Sequence, residues 1–208
     1  SALGFANEPA SLLAAELVKA ANSGIDDLGF TIDEAKTKPS RKSKIENRKL
    51  EKVFFSDDGS TAMEVALKLA YEFARRSGRS QNPKFLSLDG AYHGDTIGAV
   101  SAGHIDLFHK AYSGLLFKTD KVAAPYCYRC PHNKATPERG AARDYRKCKF
   151  ECLKWVEQKF SAQRKTKNPY AAMIVEPLMQ GAAGMIAQPE GWLKRVAEIV
   201  RKDGAQLI

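Results

Sequence analysis

Short apolar runs typical of buried strands alternate along this chain with amphipathic helical stretches, and this alternation constrains the fold more than any other feature. Strands that are joined through helices run parallel, and the helices then cover both faces of the sheet. We therefore predict an α/β fold, with three α/β/α layers around a mainly parallel sheet. The predicted strands are Val53–Phe55, Lys84–Leu88, Ala171–Glu176 and Gln206–Ile208, and the predicted helices are Ala10–Ala21, Thr61–Arg76, Phe150–Phe160 and Trp192–Lys202.

The helix predicted at Thr61–Arg76 has apolar residues spaced three and four apart, which indicates one buried face. Thr61 and Glu64 have the spacing of a capping box at its start. A turn at Asp95–Gly103 is predicted to enter a further helix. The residues predicted to face inward from Thr61–Arg76 are Ala62, Val65, Ala66, Leu69 and Phe73.

Two stretches interrupt the alternation. Residues 22–50 are rich in Asn, Ser, Gly, Lys and Arg, and they have too few apolar side chains to offset the entropy of ordering. They predict an exposed and mobile loop insertion. Residues 122–149 contain Pro, Gly, Cys and basic residues in irregular order, which predicts an excursion that carries cysteines.

Composition excludes several classes of protein. Much of the net charge of +9 lies in Lys36–Lys52 and Lys134–Lys167, where no aromatic residues are spaced to stack bases, so we do not expect a nucleic-acid partner. No run of about 18 apolar residues exists, so no membrane span is expected. The stretch after Ser1 lacks the order of a signal peptide. We expect a cytoplasmic protein, or a mitochondrial one if a transit peptide preceded Ser1.

The first segment that suggests chemistry is the polar turn Ser56–Thr61, between a predicted strand and a predicted helix. Such a turn directs backbone N–H groups towards one spot before a helix, where the helix dipole favours an anion. Gly59 lets the backbone approach a ligand, and the Ser60 hydroxyl can add a donor, so a phosphate monoester would fit. An ordinary turn with an N-cap explains this segment equally well.

Two more polar segments follow predicted strands. Asp89–Thr96 contains the cluster Tyr-His-Gly-Asp, and its Tyr92 is well placed to lie flat over a planar ligand. Glu176 ends a strand before Pro177, although a solvated strand-end acid is the simpler interpretation. Ligands bind at the carboxyl ends of strands in open α/β sheets. The three segments together therefore predict one binding site, although a single Tyr or His is more often structural.

Four cysteines have spacings that resemble those of a structural zinc site. They are Cys127, Cys130, Cys148 and Cys152, in a Cys-x-x-Cys pair and a looser Cys-x-x-x-Cys pair. Paired thiolates at such spacings can bind zinc. Free thiols in a surface excursion are the favoured interpretation, so no metal is predicted.

Taken together, these segments resemble the class III pyridoxal-phosphate-dependent aminotransferases, and within them the branch that serves biotin synthesis. The resemblance covers nearly the whole chain, apart from about 22–50 and parts of 132–168. The residues that carry it are Gly4–Pro9, the polar turn at Ser56–Thr61, Gly90–Ala99, Pro125–Pro131 and Glu176–Gly181.

The resemblance implies a role for each site residue. Gly59 and Ser60 would hold the phosphate of pyridoxal phosphate, and Tyr92 would stack on its pyridine ring. His93 and Glu176 would also lie on the cofactor side, and Asp95 would contact the substrate. The family has a small neutral residue at the position of Asp58, so we expect this acid to face solvent or a basic neighbour.

The resemblance also implies an activity and an assembly. It implies transfer of an amino group from S-adenosylmethionine to 8-amino-7-oxononanoate by a homodimer that acts on small molecules. We expect the chain to be part of the large domain of a fold-type I enzyme, without the C-terminal part of that domain and the small domain. No lysine here matches the catalytic lysine by context, so the chain alone is expected to be inactive.

Two alternatives remain open from the sequence. One is another class III transaminase, acting on ornithine, 4-aminobutyrate or a diamine. The other is a basic zinc-binding interaction module, which would explain the charge and the cysteines but not the three polar segments that follow strands.

Overall fold

A computed structural model describes residues 7–27, 50–103, 105–134 and 146–208. The chain divides into two compact units, residues 1–55 and 56–208. The helices are α1 (Glu8–Asp27), α2 (Gly59–Arg76), α3 (Ile97–Ala102), α4 (Asp106–His109), α5 (Glu151–Arg164) and α6 (Trp192–Asp203), and the strands are β1 (Lys84–Leu88), β2 (Asp120–Val122), β3 (Tyr170–Ile174), β4 (Met179–Gln180), β5 (Ile186–Ala187) and β6 (Gln206–Leu207).

The second unit is built on a four-stranded sheet with the order β2-β1-β3-β6. All three strand pairings are parallel, so the carboxyl ends of the strands share one edge. A separate antiparallel pair, β4 and β5, follows β3. The mainly parallel sheet confirms the predicted fold class.

Side chains alternate between the two faces of this sheet, and a different set of helices covers each face. Leu86 and Met173 point to a core shared with α5 and α6, whose contributions include Val156 and Trp192. The opposite face presents side chains such as Phe85 and Ala172 to the buried side of α2. These two cores make the three α/β/α layers.

The buried face of α2 differs from the predicted one. Leu69 and Phe73 are 64% and 55% exposed, and the fully buried positions are instead Leu67, Ala70 and Ala74. Small alanines pack where α2 crosses the sheet, because they allow close approach of the helix to the strands. Of the other residues predicted to face inward, Ala62 is exposed and Val65 and Ala66 are half-buried.

In the first unit, α1 begins at Glu8, with Pro9 in its first turn, and continues to Asp27. The loop predicted at 22–50 is therefore wrong for residues 22–27, and residues 28–49 lie outside the described residues. The Asn22 side chain bonds both the N–H and the C=O of Leu50, at 2.8 and 2.9 Å. This pairing holds the start of the next segment to the helix.

The strand predicted at Val53–Phe55 is also wrong. These residues have no regular structure, and the side chains of Phe54 and Phe55 are 69% and 47% exposed. An apolar run becomes a strand only where a neighbouring strand can pair with it, which the run itself does not encode. No helix among the described ranges is long and apolar enough to cross a membrane.

Candidate functional site at the carboxyl edge of the sheet

The loop after β1 turns sharply before it reaches Tyr92. Gly90 has a φ of 72°, in the left-handed region that favours glycine. A Cβ atom added at Gly90 would lie 3.3 Å from the Cβ of Ala183, between β4 and β5. The turn thus brings the loop against the β4–β5 hairpin at the carboxyl edge of the sheet.

Glu176, two residues after β3, connects this loop to the hairpin. One carboxylate oxygen accepts the backbone N–H of Tyr92 at 3.0 Å, and the other accepts the N–H of Gly181 at 2.9 Å. Both oxygens are therefore engaged, which differs from a strand-end acid that faces only water. Glu176 fixes the backbone at the residue predicted to stack on a planar ligand.

The backbone at the start of α2 passes close to the backbone of the loop after β1. Gly94 has a φ of 118°, and a Cβ atom there would lie 2.5 Å from the Cβ of Ser60 and 2.9 Å from its Cα. Only glycine fits at this contact. Two residues into α3, the N–H of Gly98 donates to the Glu64 carboxylate of α2 at 2.6 Å.

The start of α2 is capped differently from the prediction. Asp58 is the N-cap, its carboxylate accepts the N–H of Thr61 at 2.8 Å, and the Thr61 hydroxyl accepts the N–H of Asp58 at 3.1 Å. The capping box is therefore Asp58–Thr61 rather than Thr61–Glu64, and the helix begins two residues earlier. Asp58 is exposed, and the hydrogen bond from Thr61 lowers the pKa of its carboxyl group.

Gly59 and Ser60 form the first residues of α2, an 18-residue helix whose dipole favours an anion at this end. A Cβ atom at Gly59 would meet no atom within 4 Å, so the space in front of it is open. The predicted placement at a helix N-terminus is correct, whereas the strand predicted before it is absent.

Tyr92 and Asp95 form a hydrogen-bonded pair on the same loop. The Tyr92 hydroxyl donates to the Asp95 carboxylate at 2.7 Å. This bond raises the pKa of Tyr92 and is the largest cause of the lowered pKa of Asp95. The Asp95 carboxylate is thus held in its charged form beside an aromatic ring, an arrangement suited to a cationic group.

His93 is half-buried and lies near enough to Lys121 of β2 for the two side chains to interact electrostatically. Burial, with a smaller effect from Lys121, lowers the pKa of His93 to about 4, so its ring is neutral at neutral pH. Burial also lowers the pKa of Lys121 to about 8. The Lys121 ammonium donates to the carbonyl oxygens of Ala102 and Gly103, so it supports the C-terminal end of α3.

His109, at the end of α4, is a polar contributor to the site that sequence reasoning missed. It is 4% exposed, and its ring lies parallel to that of Tyr92, with 6.3 Å between centroids. It follows Asp95 by 14 residues, and no motif connects the two in the sequence. Only the fold of the segment between them brings them together.

The four cysteines line a cavity of about 520 Å³ beside the site, with Asp89 and Gly90 on its near wall. All four are free thiols, and Cys127 and Cys152 are buried. Burial raises the pKa of the Cys152 thiol to about 11 and also raises that of Cys127. Within the described ranges, no three His, Cys, Asp or Glu side chains are grouped closely enough to hold a metal ion.

Comparison with known proteins fits this geometry. The family model for class III aminotransferases matches residues 9–208. The chain belongs to the class III aminotransferases. This family membership accounts for the order of the three polar segments and leaves the basic zinc-binding module without support.

Two curated relatives of this class III chain carry the name adenosylmethionine-8-amino-7-oxononanoate aminotransferase. One, from Geobacter sulfurreducens, is 46% identical over 83% of this chain and 36% of its own length. Another, from Aquifex aeolicus, is 36% identical over 96% of this chain and 36% of its own length. The class III chain thus spans about a third of the length of these relatives.

Solved structures resemble the class III chain over its whole length. The crystal structure of adenosylmethionine-8-amino-7-oxononanoate aminotransferase from Methanocaldococcus jannaschii has a TM-score of 0.71 and 28% identity, over 100% of this chain and 36% of that one. A PLP-bound aminotransferase mutant from Vibrio fluvialis has a TM-score of 0.66 at 20% identity, and this match shows a common fold.

Proposed function

We propose that this chain provides the phosphate- and ring-binding part of a pyridoxal-phosphate-dependent aminotransferase that transfers the amino group of S-adenosylmethionine to 8-amino-7-oxononanoate. The observation that carries the proposal is the meeting of three polar segments at one sheet edge. Glu176 accepts the N–H of Tyr92, and Gly94 lies against Ser60. The names of the relatives, several of which specify this reaction, support the choice of substrates.

The residues at the start of α2 fit a phosphate group in most respects. The space at Gly59 is open, the Ser60 hydroxyl is close by, and the helix dipole is favourable. Asp58 is the one unfavourable feature, because its carboxylate already bonds the N–H of Thr61 and is itself an anion. We therefore assign the phosphate to Gly59 and Ser60, with Asp58 as a weak competitor.

The remaining residues would orient the ring and the substrate. Tyr92 would stack on the pyridine ring with its backbone held by Glu176, and neutral His93 would add no charge at the cofactor. The Asp95 carboxylate would attract a cationic group of the substrate. Bound pyridoxal phosphate supplies the electron sink that amino-group transfer requires. A homodimer of soluble subunits that act on small molecules is part of the same proposal.

The decisive experiment uses a full-length protein that contains this chain. It should bind pyridoxal phosphate, with visible absorbance, and form 7,8-diaminononanoate from the two named substrates, as measured by mass spectrometry. Tyr92→Ala should weaken cofactor binding about 5- to 150-fold, since stacking on an aromatic ring contributes about 1–3 kcal/mol per base-like ring. Tyr92→Phe keeps the ring and is the matched control.

Substrate choice needs its own measurement, because family membership does not fix the reaction. A relative from Thermococcus litoralis that is 34% identical is named leucine/methionine racemase. Ornithine, 4-aminobutyrate and diamines should therefore be tested as donors beside S-adenosylmethionine. Faster transfer from any of them, with no diaminononanoate formed, would replace the proposed substrates by one of those alternatives.

A further inference from the structure

His109 is buried, and its side chain contacts both Tyr92 and Asp95. Its Nε2 lies 3.3 Å from an Asp95 carboxylate oxygen, the one that the Tyr92 hydroxyl does not use. Its Nδ1 accepts the backbone N–H of Ile105 at 3.0 Å. The imidazole and phenol rings are 10° from parallel.

These contacts indicate which nitrogen of the His109 ring carries the proton. Because Nδ1 accepts a hydrogen bond from Ile105, it has no proton, and the proton of the neutral ring is on Nε2. Nε2 then donates to Asp95, so the carboxylate accepts one hydrogen bond from His109 and one from Tyr92. The parallel His109 ring also limits tilting of the Tyr92 ring from behind.

We propose that His109 is a positioning residue that fixes the Asp95 carboxylate, and with it the Tyr92 ring, for recognition of a cationic amine substrate. The inference rests on the proposed function, because it takes Tyr92 and Asp95 as ligand-facing. The side chain of Asp95 is 73% exposed, so it would otherwise sample several rotamers. Two donors at fixed positions reduce that freedom before the substrate arrives.

A buried histidine that only closes the turn at Ile105 is the competing explanation. The two explanations differ in which parameter changes. A positioning role predicts that His109→Phe, which keeps a flat ring but removes both nitrogens, raises KM for the cationic substrate about tenfold, the scale of a lost hydrogen bond to a charged group. The value of kcat and the affinity for pyridoxal phosphate should change much less.

Three comparisons sharpen this test in the full-length holoenzyme. His109→Gln retains an N–H donor at a similar reach and should restore most of the lost affinity for substrate. In an Asp95→Asn background, His109→Phe should raise KM by less than twofold, because the carboxylate through which it acts is gone. His132→Phe, on an exposed histidine elsewhere in the fold, is the control and should leave KM unchanged.

A second readout does not depend on activity. Nitrogen NMR of the unsubstituted protein with ¹⁵N-labelled histidine should show one ring with a bare Nδ1 and a protonated Nε2, assigned by its loss in His109→Gln. A proton on Nδ1 would overturn the proposal. So would equal KM effects of His109→Phe with and without Asp95. A protein that binds no cofactor at all would instead refute the proposed function, which is a distinguishable result.

Discussion

The segments that follow the two neighbouring strands β1 and β2 differ in how they are held. The loop after β1 is in contact with residues from two other elements, through the hydrogen bond to Glu176 after β3 and the close approach to Ser60 at the start of α2. In the segment after β2, with Cys127 and Cys130, the Asn133 side chain donates to the carbonyl oxygen of Cys127 at 2.9 Å and accepts the N–H of Lys147 at 2.9 Å, so among the described residues this segment is bonded to the residues before α5 and not to the ends of other strands.

This difference shows how much a sequence motif counts as evidence of a binding site. The cysteines have the more distinctive spacing, yet their described side chains do not group around a metal position. The polar residues of the β1 loop are individually ordinary, yet Glu176 after β3 and Ser60 at the start of α2 both contact this loop. Convergence from distant parts of the sequence is the better indication of a binding site.

The largest expected effect comes from Gly94, where the two polar segments touch. Gly94→Ala should lower the free energy of unfolding by about 2–4 kcal/mol, from the left-handed backbone and the overlap with Ser60. Cofactor occupancy should fall in parallel. Urea denaturation and visible absorbance measure both effects. Gly114→Ala, where a Cβ meets nothing within 4 Å, is the control; equal losses in both variants would show that the contact is unimportant.

Glu176 should give the next largest effect. Glu176→Ala removes the acceptor of two backbone N–H groups and should cost about 1–3 kcal/mol of stability, with weaker cofactor binding through movement of Tyr92. Glu176→Gln retains one acceptor oxygen and should lose about half as much. If both variants bind pyridoxal phosphate as well as the parent, then the anchoring of Tyr92 does not matter for the ligand.

A substitution of Asp58 tests whether the negative charge of this residue weakens phosphate binding at the start of α2. Asp58→Ser keeps an N-cap hydroxyl and removes a negative charge, so the affinity for pyridoxal phosphate should rise about two- to fivefold, the scale of a charge at a helix end. Equilibrium dialysis at low ionic strength measures it. Asp57→Ser is the neighbouring control. A weaker affinity in Asp58→Ser would mean that the carboxylate supports the site.

The cysteine segment should give the smallest effect on activity. Replacing Cys130 and Cys148 by Ser should leave amino transfer unchanged, and the purified protein should contain no stoichiometric zinc. If the thiols react with an alkylating reagent only after a chelator is added, this prediction is contradicted and a zinc site is supported. Zinc analysis and alkylation mapped by mass spectrometry give the answer.

The same experiment has a pH dependence. With the pKa of Cys152 raised to about 11, only about 0.1% of this thiol is ionised at pH 8. Its alkylation rate should therefore rise about tenfold per pH unit between pH 7 and 9.5, with no plateau in that range. A rate that levels off above about pH 9 would show an ordinary thiol, whose pKa is about 8.5, instead.

The sequence predicts the elements whose patterns are local and strong. The runs at β1 and β3 and the helices α5 and α6 are found where predicted, with ends shifted by a few residues. The strand β2 and the hairpin of β4 and β5 are missed, because two or three residues with charged or polar members carry no periodic signal. Val53–Phe55 has the composition of a strand but pairs with no strand among the residues that the structure describes.

The features of the candidate site also divide into those that the sequence predicts and those that it does not. The order of the polar segments predicts that Tyr92, Glu176 and the start of α2 meet, because parallel strands bring their carboxyl ends together. The bonding partners cannot be read from the sequence. The Asp58 cap, the Gly94–Ser60 contact and His109 behind Asp95 all depend on side-chain and backbone positions that only the folded chain fixes.

The bond between Tyr92 and Glu176 joins residues that are 84 positions apart, and this distance has a consequence for the order of folding. A contact of such length carries a loop-closure cost that local helices do not have, so it forms after β1 and β3 have paired. During synthesis, the β1 loop therefore leaves the ribosome long before its anchor exists. A nascent chain that stops before β3 would contain Tyr92 and Asp95 but could not hold Tyr92 by its backbone, because Glu176 has not yet been made.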